Sequence, residues 1–188
     1  MEKHSPRRTF LGKALVASAG LACISSTSVI RAFEGAQSPF EGYNPYIEEK
    51  NDLRNSLFGK EVALKGVIYD TNGKQPVSNA LVEIWHLSPN STKYRHRGKV
   101  RTNAKGEYSF ITDWPQRAKG SMPRVYFKVS HEGISTFTEL LFNDYGAHIT
   151  GKHWEAHKHL GDAQLFPRTK SFLNETVIKF NISLSIKK

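Results

Sequence analysis

The feature that most constrains this sequence is a succession of short alternating segments separated by turn residues. Residues 61–69 alternate apolar and polar side chains and end in Asp70-Thr71-Asn72-Gly73, where Asn-Gly favours a tight turn. Similar segments recur along the chain, at 80–87, 107–111, 125–130, 135–142 and 176–186. Helical periodicity is confined to a short stretch, 151–159. The pattern predicts an all-β protein, an antiparallel sandwich of about seven strands.

The first 37 residues have a different character from the rest. Ser5-Pro6-Arg7-Arg8-Thr9-Phe10-Leu11 resembles a twin-arginine export signal, and a mild apolar stretch follows it from 14 to 24. That stretch is too short and too rich in small residues to span a bilayer stably. We therefore expect 1–37 to be a cleavable signal and linker, and 38–188 to be one folded domain in the periplasm or outside the cell. The alternative is a chance basic N-terminus on a cytosolic protein.

Composition narrows the classes of site that the chain can hold. The single cysteine, Cys23, lies inside the expected signal, so the folded domain has no disulfide framework and no paired-cysteine zinc site. A lipid anchor at Cys23 stays open. The net charge of +10 includes +3 from residues 1–37 and +7 from residues 94–128, with the remainder near neutral. This local excess predicts an anionic ligand or a solvated basic face. Nucleic acid is not expected, because no motif alternates aromatic and basic residues.

Several segments together resemble the core of the intradiol ring-cleavage dioxygenases. The likeness begins at Gly66-Val67-Ile68-Tyr69-Asp70 and runs through Asn79-Ala80-Leu81-Val82-Glu83-Ile84-Trp85-His86. It continues through residues 101–112 and reaches 127–130 and 138–142. The resemblance implies a sandwich of the intradiol dioxygenase core type. A generic turn-rich sandwich of the transthyretin or carboxypeptidase-regulatory type is the alternative.

The resemblance also implies a ferric iron held by two tyrosinates and two histidines, which cleaves a catechol between its hydroxyl-bearing carbons. Only one ligand position matches: Tyr94 stands at the first tyrosinate. Ala118 stands at the second, while Arg124 and Tyr126 occupy the two histidine positions. Alanine offers no donor atom, and arginine keeps its proton. The sequence therefore predicts that the family's iron is not held in the ordinary way, and that no cofactor is present.

Glu139, at the place of a pocket glutamine, completes the candidate set of Tyr94, Arg124, Tyr126 and Glu139. We expect these side chains to share a cavity lined by Trp85 and Trp114. Glu139 and Tyr126 would perform acid/base chemistry on an aromatic or anionic small molecule, with Arg124 holding an oxyanion. A plain ion pair between Glu139 and Arg124 is the structural alternative. Two further readings stay open: an Fe(III) dioxygenase with rearranged ligands, and a binding module without catalysis. Homo-oligomerisation also stays open.

The eight histidines raise the question of a relocated metal. His153 and His157 would share one face of a helix, at a spacing compatible with metal binding, although a polar surface loop explains the local cluster equally simply. His86 and His96 flank Tyr94 and are the nearer substitutes. We expect His86, directly after Trp85 on a strand, to have a packing role.

Overall fold

The structure is a computed structural model that describes residues 38–55, 59–173 and 175–185. The expected export signal and Cys23 lie outside these residues. The described residues form ten strands rather than the expected seven or so. Their order is β1 (Glu61–Tyr69), β2 (Leu81–His86), β3 (His96–Arg101), β4 (Glu107–Asp113), β5 (Arg124–His131), β6 (Ile134–Asn143), β7 (Gly146–Ile149), β8 (Arg168–Phe172), β9 (Glu175–Lys179) and β10 (Ile182–Ser183).

The strands form two sheets. In the first sheet β1 is central, with β4 on one side and β9, followed by β8, on the other; β10 continues beside the end of β1. The second sheet has the order β3-β2-β5-β6-β7, and all its pairings are antiparallel. The expectation of a purely antiparallel fold is wrong for the first sheet, because β9 and β10 run parallel to β1. The chain reaches β9 through a long crossover after β7, and such a connection permits parallel pairing.

The inner faces of the sheets form one hydrophobic core, as strand alternation requires. Phe127 on β5 is fully buried and contacts Phe180 and Tyr108 at ring-centroid distances of 5.3 and 6.3 Å. Because residues 125, 127 and 129 of β5 face this core, residues 124, 126 and 128 face outward. That alternation determines which side chains reach the outer face of the second sheet.

The segment that precedes β1 joins the two sheets along one side. The backbone N–H of Lys99 donates to the Glu48 carbonyl at 3.2 Å, and the N–H of Leu53 donates to the Ile111 carbonyl at 2.8 Å. Ile47 and Leu53 are buried here. The segment thus covers the edges of β3 and β4, which would otherwise present unpaired backbone groups.

Two short helices lie between β7 and β8: α1 (Gly151–His157) and, after a 3-10 turn, α2 (Asp162–Leu165). His153 and His157 are buried on the inner side of α1, so the suggestion that this histidine cluster is a polar surface loop is wrong for these two residues. His153 pairs through Nδ1 with the Thr138 hydroxyl at 2.7 Å. Within the described part of the chain, no helix is long and apolar enough to cross a membrane.

Candidate functional site

Three of the four predicted residues lie together on the outer face of the second sheet. Tyr126 on β5 is the direct cross-strand neighbour of Trp85 on β2 and of Glu139 on β6. Arg124 lies two residues before Tyr126 and shares its face. Directly opposed residues in antiparallel strands have side chains about 5 Å apart, so the register alone brings this group together.

Arg124 and Glu139 form an ion pair, with 2.8 Å between Nη1 and Oε2. The Arg124 side chain is 28% exposed and that of Glu139 is 14% exposed. The plain ion pair anticipated from the sequence is therefore present. The pair is partly desolvated and borders the phenol of Tyr126, so it places a fixed cation and a carboxylate beside a proton-donating hydroxyl.

Tyr94 approaches this group from the loop between β2 and β3. Its ring centroid lies 6.3 Å from that of Tyr126, and its hydroxyl donates to the Glu41 carboxylate at 3.4 Å. Burial raises the pKa of Tyr94 to about 12, and the nearby Tyr126 and Glu41 add to this increase. Burial also raises the pKa of Tyr126, although Arg124 opposes the change. Both phenols are therefore neutral at physiological pH and can donate protons.

Residues 40–43, which we call the strap, lie across this outer face. Phe40 stacks on Tyr126 with 4.8 Å between ring centroids, and Tyr43 packs against Trp85 at 5.1 Å. The Trp85 indole N–H donates to the Glu41 carbonyl at 2.9 Å. Gly42 has a φ of +76°, and a Cβ atom at this position would collide with the Tyr94 ring. Glycine is thus required by both the backbone conformation and the close approach.

The strap also contacts a second charge pair on the same face. Lys128 Nζ lies 3.2 Å from a Glu83 carboxylate oxygen and donates to the Tyr43 hydroxyl at 2.6 Å. Sequence reasoning missed the contribution of the strap. The two aromatic residues and the glycine of the strap, which follow closely after the expected export signal, are the sequence pattern that could have indicated this contribution.

A cavity of about 670 Å³ lies beside Tyr94. Ala118 lines it too, so the positions that resemble the family's two tyrosinates meet at one cavity. Its other charged lining residues are mostly basic: Lys93, Arg95, Arg117 and Lys119, with Glu41 the only acid. This location agrees with the basic excess found in the sequence between residues 94 and 128. Of the four predicted site residues, Tyr94 lines the cavity, and the other three lie behind it on the sheet.

The expectation that Trp114 lines the same cavity as Trp85 is wrong. Trp114 packs edge-on against Phe142 of the core, at 5.3 Å, and Lys60 Nζ lies 3.4 Å from its ring centroid. Trp85 lies on the outer face, while Trp114 follows the end of β4 and closes one end of the core.

Behind Trp85, on the inner face of the same sheet, lie His86 and His96. Their rings stack at 4.8 Å, and both are almost completely buried. His86 pairs through Nε2 with the Thr112 hydroxyl at 2.7 Å, and burial lowers its pKa to about 3. His86 thus has the packing role expected from the sequence. Neither ring lies on the outer face, where Tyr94 and Tyr126 meet.

The residues on the outer face do not fit the family's ferric ligand set. The resemblance implies two imidazoles in that set, and the residues that it assigns to those positions are Arg124, whose guanidinium is engaged by Glu139, and Tyr126, whose phenol is neutral. Across the residues that the structure describes, no group of three or more histidine, cysteine, aspartate or glutamate side chains gathers to hold a metal.

Comparison with known proteins finds similarity to dioxygenases both in sequence and in fold. No protein-family model matches the chain. A protein named a putative dioxygenase from Rickettsia bellii is 29% identical over 125 residues, and catechol 1,2-dioxygenase 2 from Acinetobacter lwoffii is 30% identical over 110 residues. These matches cover 52% and 54% of this chain, but only 60% and 34% of the two relatives.

Solved structures extend the likeness to most of the fold. The dioxygenase domain of a dioxygenase–carbohydrate-binding protein fusion from Streptomyces sp. SirexAA-E matches with a TM-score of 0.60 at 18% identity, over 80% of this chain and 97% of that one. An intradiol ring-cleavage dioxygenase from Tetranychus urticae matches with a TM-score of 0.57 at 14% identity, over 76% and 89% of the two chains. The protein is intradiol dioxygenase-like. These matches support the resemblance to the intradiol dioxygenases that was inferred from the sequence segments, and they support the expected sandwich fold.

Proposed function

We propose that this intradiol dioxygenase-like protein binds an aromatic, anionic small molecule at the cavity beside Tyr94 and acts on it by acid/base chemistry that uses no iron. The observation that carries the proposal is the composition of that cavity, where four basic side chains surround the neutral phenol of Tyr94. A cavity with this charge lowers the free energy of a bound carboxylate or phenolate. We further propose that the protein is exported and does its work outside the cytoplasm.

The stacking surface next to the cavity favours an aromatic ligand. The ring of Phe40 stacks on Tyr126, which in turn contacts Trp85 at 5.5 Å. A phenyl ring is thus already accommodated against Tyr126, whose ring centroid lies 6.3 Å from that of Tyr94. A ligand ring can pack against the same surface if the strap moves aside.

Three side chains can transfer protons, and a fourth supplies a positive charge. Tyr126 and Tyr94 carry protons at neutral pH, so either can donate one to a developing oxyanion. Arg124 provides a permanent positive charge 2.8 Å from the Glu139 carboxylate, which is the available proton acceptor. Removal of a proton by Glu139 and delivery of another by Tyr126 would support isomerisation, elimination or cyclisation of an aromatic substrate.

Binding can be tested with two probes that share a catechol ring and differ by one carboxylate group: catechol and 3,4-dihydroxybenzoate. We expect the carboxylate to bind more tightly, with an affinity that falls as salt concentration rises. The double variant Arg117→Gln/Lys119→Gln should weaken its binding about five-fold, since exposed ion pairs contribute ~0.5 kcal/mol each. Lys152→Gln/Lys158→Gln, on and just after α1, is the matched control and should bind normally. Equal affinity for both probes would contradict the proposal.

Substitutions in the sheet behind the cavity can separate an effect on catalysis from an effect on binding. Glu139→Gln and Tyr126→Phe keep the shape of the site and remove the proton acceptor and one donor. The proposal predicts unchanged affinity for the aromatic carboxylate and lost turnover of whichever substrate is found. If neither variant alters turnover, the protein is a binding module and the acid/base assignment fails.

A dioxygenase with rearranged iron ligands is a second candidate, favoured by one observation. The oxygens of Tyr94, Tyr126 and Glu41 converge on the outer face, and ferric iron prefers oxygen donors of this type. The positive charge of Arg124 beside Tyr126 opposes a bound cation. Stoichiometric iron in the purified protein would favour this candidate over the metal-free one.

A further inference from the structure

A second constellation lies at the end of the sandwich, between the two sheets. His96 on β3 contacts the Ser88 hydroxyl through Nδ1 at 2.8 Å and the Asp113 carboxylate through Nε2 at 2.9 Å. Ser88, His96 and Asp113 are 4%, 2% and 3% exposed. Three residues from the ends of β2, β3 and β4 thus form one continuous hydrogen-bonded chain.

The hydrogen-bond partners determine the direction of each proton in this chain. Asp113 accepts from the backbone N–H of Asn55 at 2.9 Å, and an ionised carboxylate only accepts, so His96 donates to it through Nε2. The other ring nitrogen is then an acceptor, and the Ser88 hydroxyl donates to it. Ser88 Oγ itself accepts from the backbone N–H of Arg95 at 3.1 Å.

This arrangement is that of an activated serine. The serine proton points at an imidazole nitrogen, and the opposite nitrogen is held by a buried carboxylate, which fixes the tautomer. The imidazole is turned relative to the Ser-His-Asp arrangement in which Nε2 faces the serine, but the path of the proton is the same. The backbone N–H of Arg95 occupies one lone pair of Ser88 Oγ and leaves the other for an incoming electrophile.

The three residues also line a cavity. It has a volume of about 490 Å³, and its wall includes Trp114 together with the basic side chains of Lys60 and Arg95. Trp114 offers an aromatic wall for an apolar group, while the two cations favour a reaction centre that gains negative charge. Buried hydrogen-bonded networks that only support a fold do not need such a cavity at the serine.

We propose that Ser88, His96 and Asp113 form a nucleophilic site that hydrolyses small aryl esters, an activity separate from that proposed at Tyr94. Ser88 Oγ attacks the ester carbonyl carbon while its proton passes to His96 Nδ1. The tetrahedral adduct then expels the phenol, which takes the proton from His96. Water attacks the acyl-serine, its proton passes through His96 back to Ser88 Oγ, and a carboxylic acid leaves. Asp113 positions the ring and stabilises its charged form.

A fluorophosphonate probe tests the nucleophile directly in the unaltered protein. We expect one covalent adduct, located on Ser88 by peptide mass spectrometry. Ser171 on β8 is exposed and does not line this cavity, so Ser171→Ala is the control and should label normally. No adduct on the folded wild-type protein, or an adduct on another residue, would overturn the proposal.

Hydrolysis of p-nitrophenyl acetate provides the functional readout. Ser88→Ala should reduce the rate to that of the background, and Asp113→Asn should lower it ~10²-fold or more, because the ring loses the partner that fixes its tautomer. Thermal unfolding of each variant shows whether it is folded. Hydrolysis that is equally fast in folded Ser88→Ala would contradict the assignment, whatever the result for Asp113→Asn.

Discussion

Neighbouring residues at the end of β2 face opposite sides of the second sheet and have opposite surroundings. Trp85 faces outward and meets Tyr126, the strap and, beyond them, the Arg124–Glu139 pair. His86 faces inward and is stacked on His96 in a fully buried network. On the outer face, charges are partly solvated and phenols keep their protons. On the inner face, burial lowers the pKa of His86 and keeps its imidazole neutral.

The difference shows how one sheet can carry two kinds of chemistry. The outer face is covered by a short strap, so a ligand can reach its polar groups by displacing a few contacts. Most of the inner face is closed by the core, and its polar groups mainly bond to one another, although a cavity opens at its end beside Ser88, His96 and Asp113. Substitutions in the core should therefore affect stability most, while substitutions on the outer face should affect binding most.

Acid should produce the largest effect, through the interior. Burial lowers the pKa of His86 and His153 to about 3 and that of His157 to about 4, against an ordinary value of 6.5. The unfolded chain binds these protons first, so stability is fully present above pH 6.5 and declines as pH falls toward these lower values. Each histidine contributes ~1.4 kcal/mol per pH unit in that range. Urea unfolding at pH 7 and pH 5 measures the loss, and equal free energies of unfolding would contradict the assignment.

Adjacent residues of β5 provide the next contrast. Phe127→Ala removes a fully buried ring on the inner face and should lower the free energy of unfolding by ~3–5 kcal/mol. Tyr126→Phe, one residue earlier and on the outer face, should cost about 1 kcal/mol or less. Chemical denaturation of both variants checks the contrast. Similar losses from the two substitutions would show that the outer face is as closely packed as the core.

The strap allows a smaller and more local test. Gly42→Ala introduces a Cβ at positive φ that also collides with the Tyr94 ring, so it should cost ~1–2 kcal/mol and loosen the strap. Exposure of Tyr94 should then move its pKa from about 12 toward the ordinary value of 10, which ultraviolet titration detects. Gly133→Ala is the control, because its φ is also positive but nothing lies near the added Cβ. An unchanged Tyr94 titration in Gly42→Ala would mean that the strap does not cover this phenol.

The alternating segments predicted β1, β2, β4, β5, β6 and the region of β9 and β10, but not β3, β7 or β8. The grouping of Tyr126 with Glu139 was expected from the family resemblance, and the register of β5 and β6 places the two residues side by side. Both residues lie in alternating segments, and pairing follows from register. The aromatic residues and the glycine of the strap stand out in the sequence, but their contacts could not be predicted. Residues 40–43 have no periodicity, and their contacts are with residues more than 40 positions away. The parallel pairing of β9 with β1 likewise depends on a long crossover and not on local pattern.

The spacing of the histidines contains a helical pattern that the surface-loop interpretation leaves out. His153, His157 and Leu160 recur at intervals of four and three residues, the spacing of one helical face, and all three are buried. The polarity of the two histidines favours a surface loop, but an uncharged imidazole with one hydrogen bond can be accommodated in a core. The sequence expectation puts Trp114 beside Trp85, whereas the Trp114 ring packs on Phe142 of the core.

Metal analysis of the protein, purified after growth with ample iron, tests most directly whether the outer face acts without iron. A protein that acts without iron should contain far less than one iron per chain, show no visible absorption from phenolate bound to ferric iron, and bind 3,4-dihydroxybenzoate after treatment with a chelator. One iron per chain, with a visible band that disappears in Tyr94→Phe or Tyr126→Phe, would contradict the account and favour a dioxygenase with rearranged ligands.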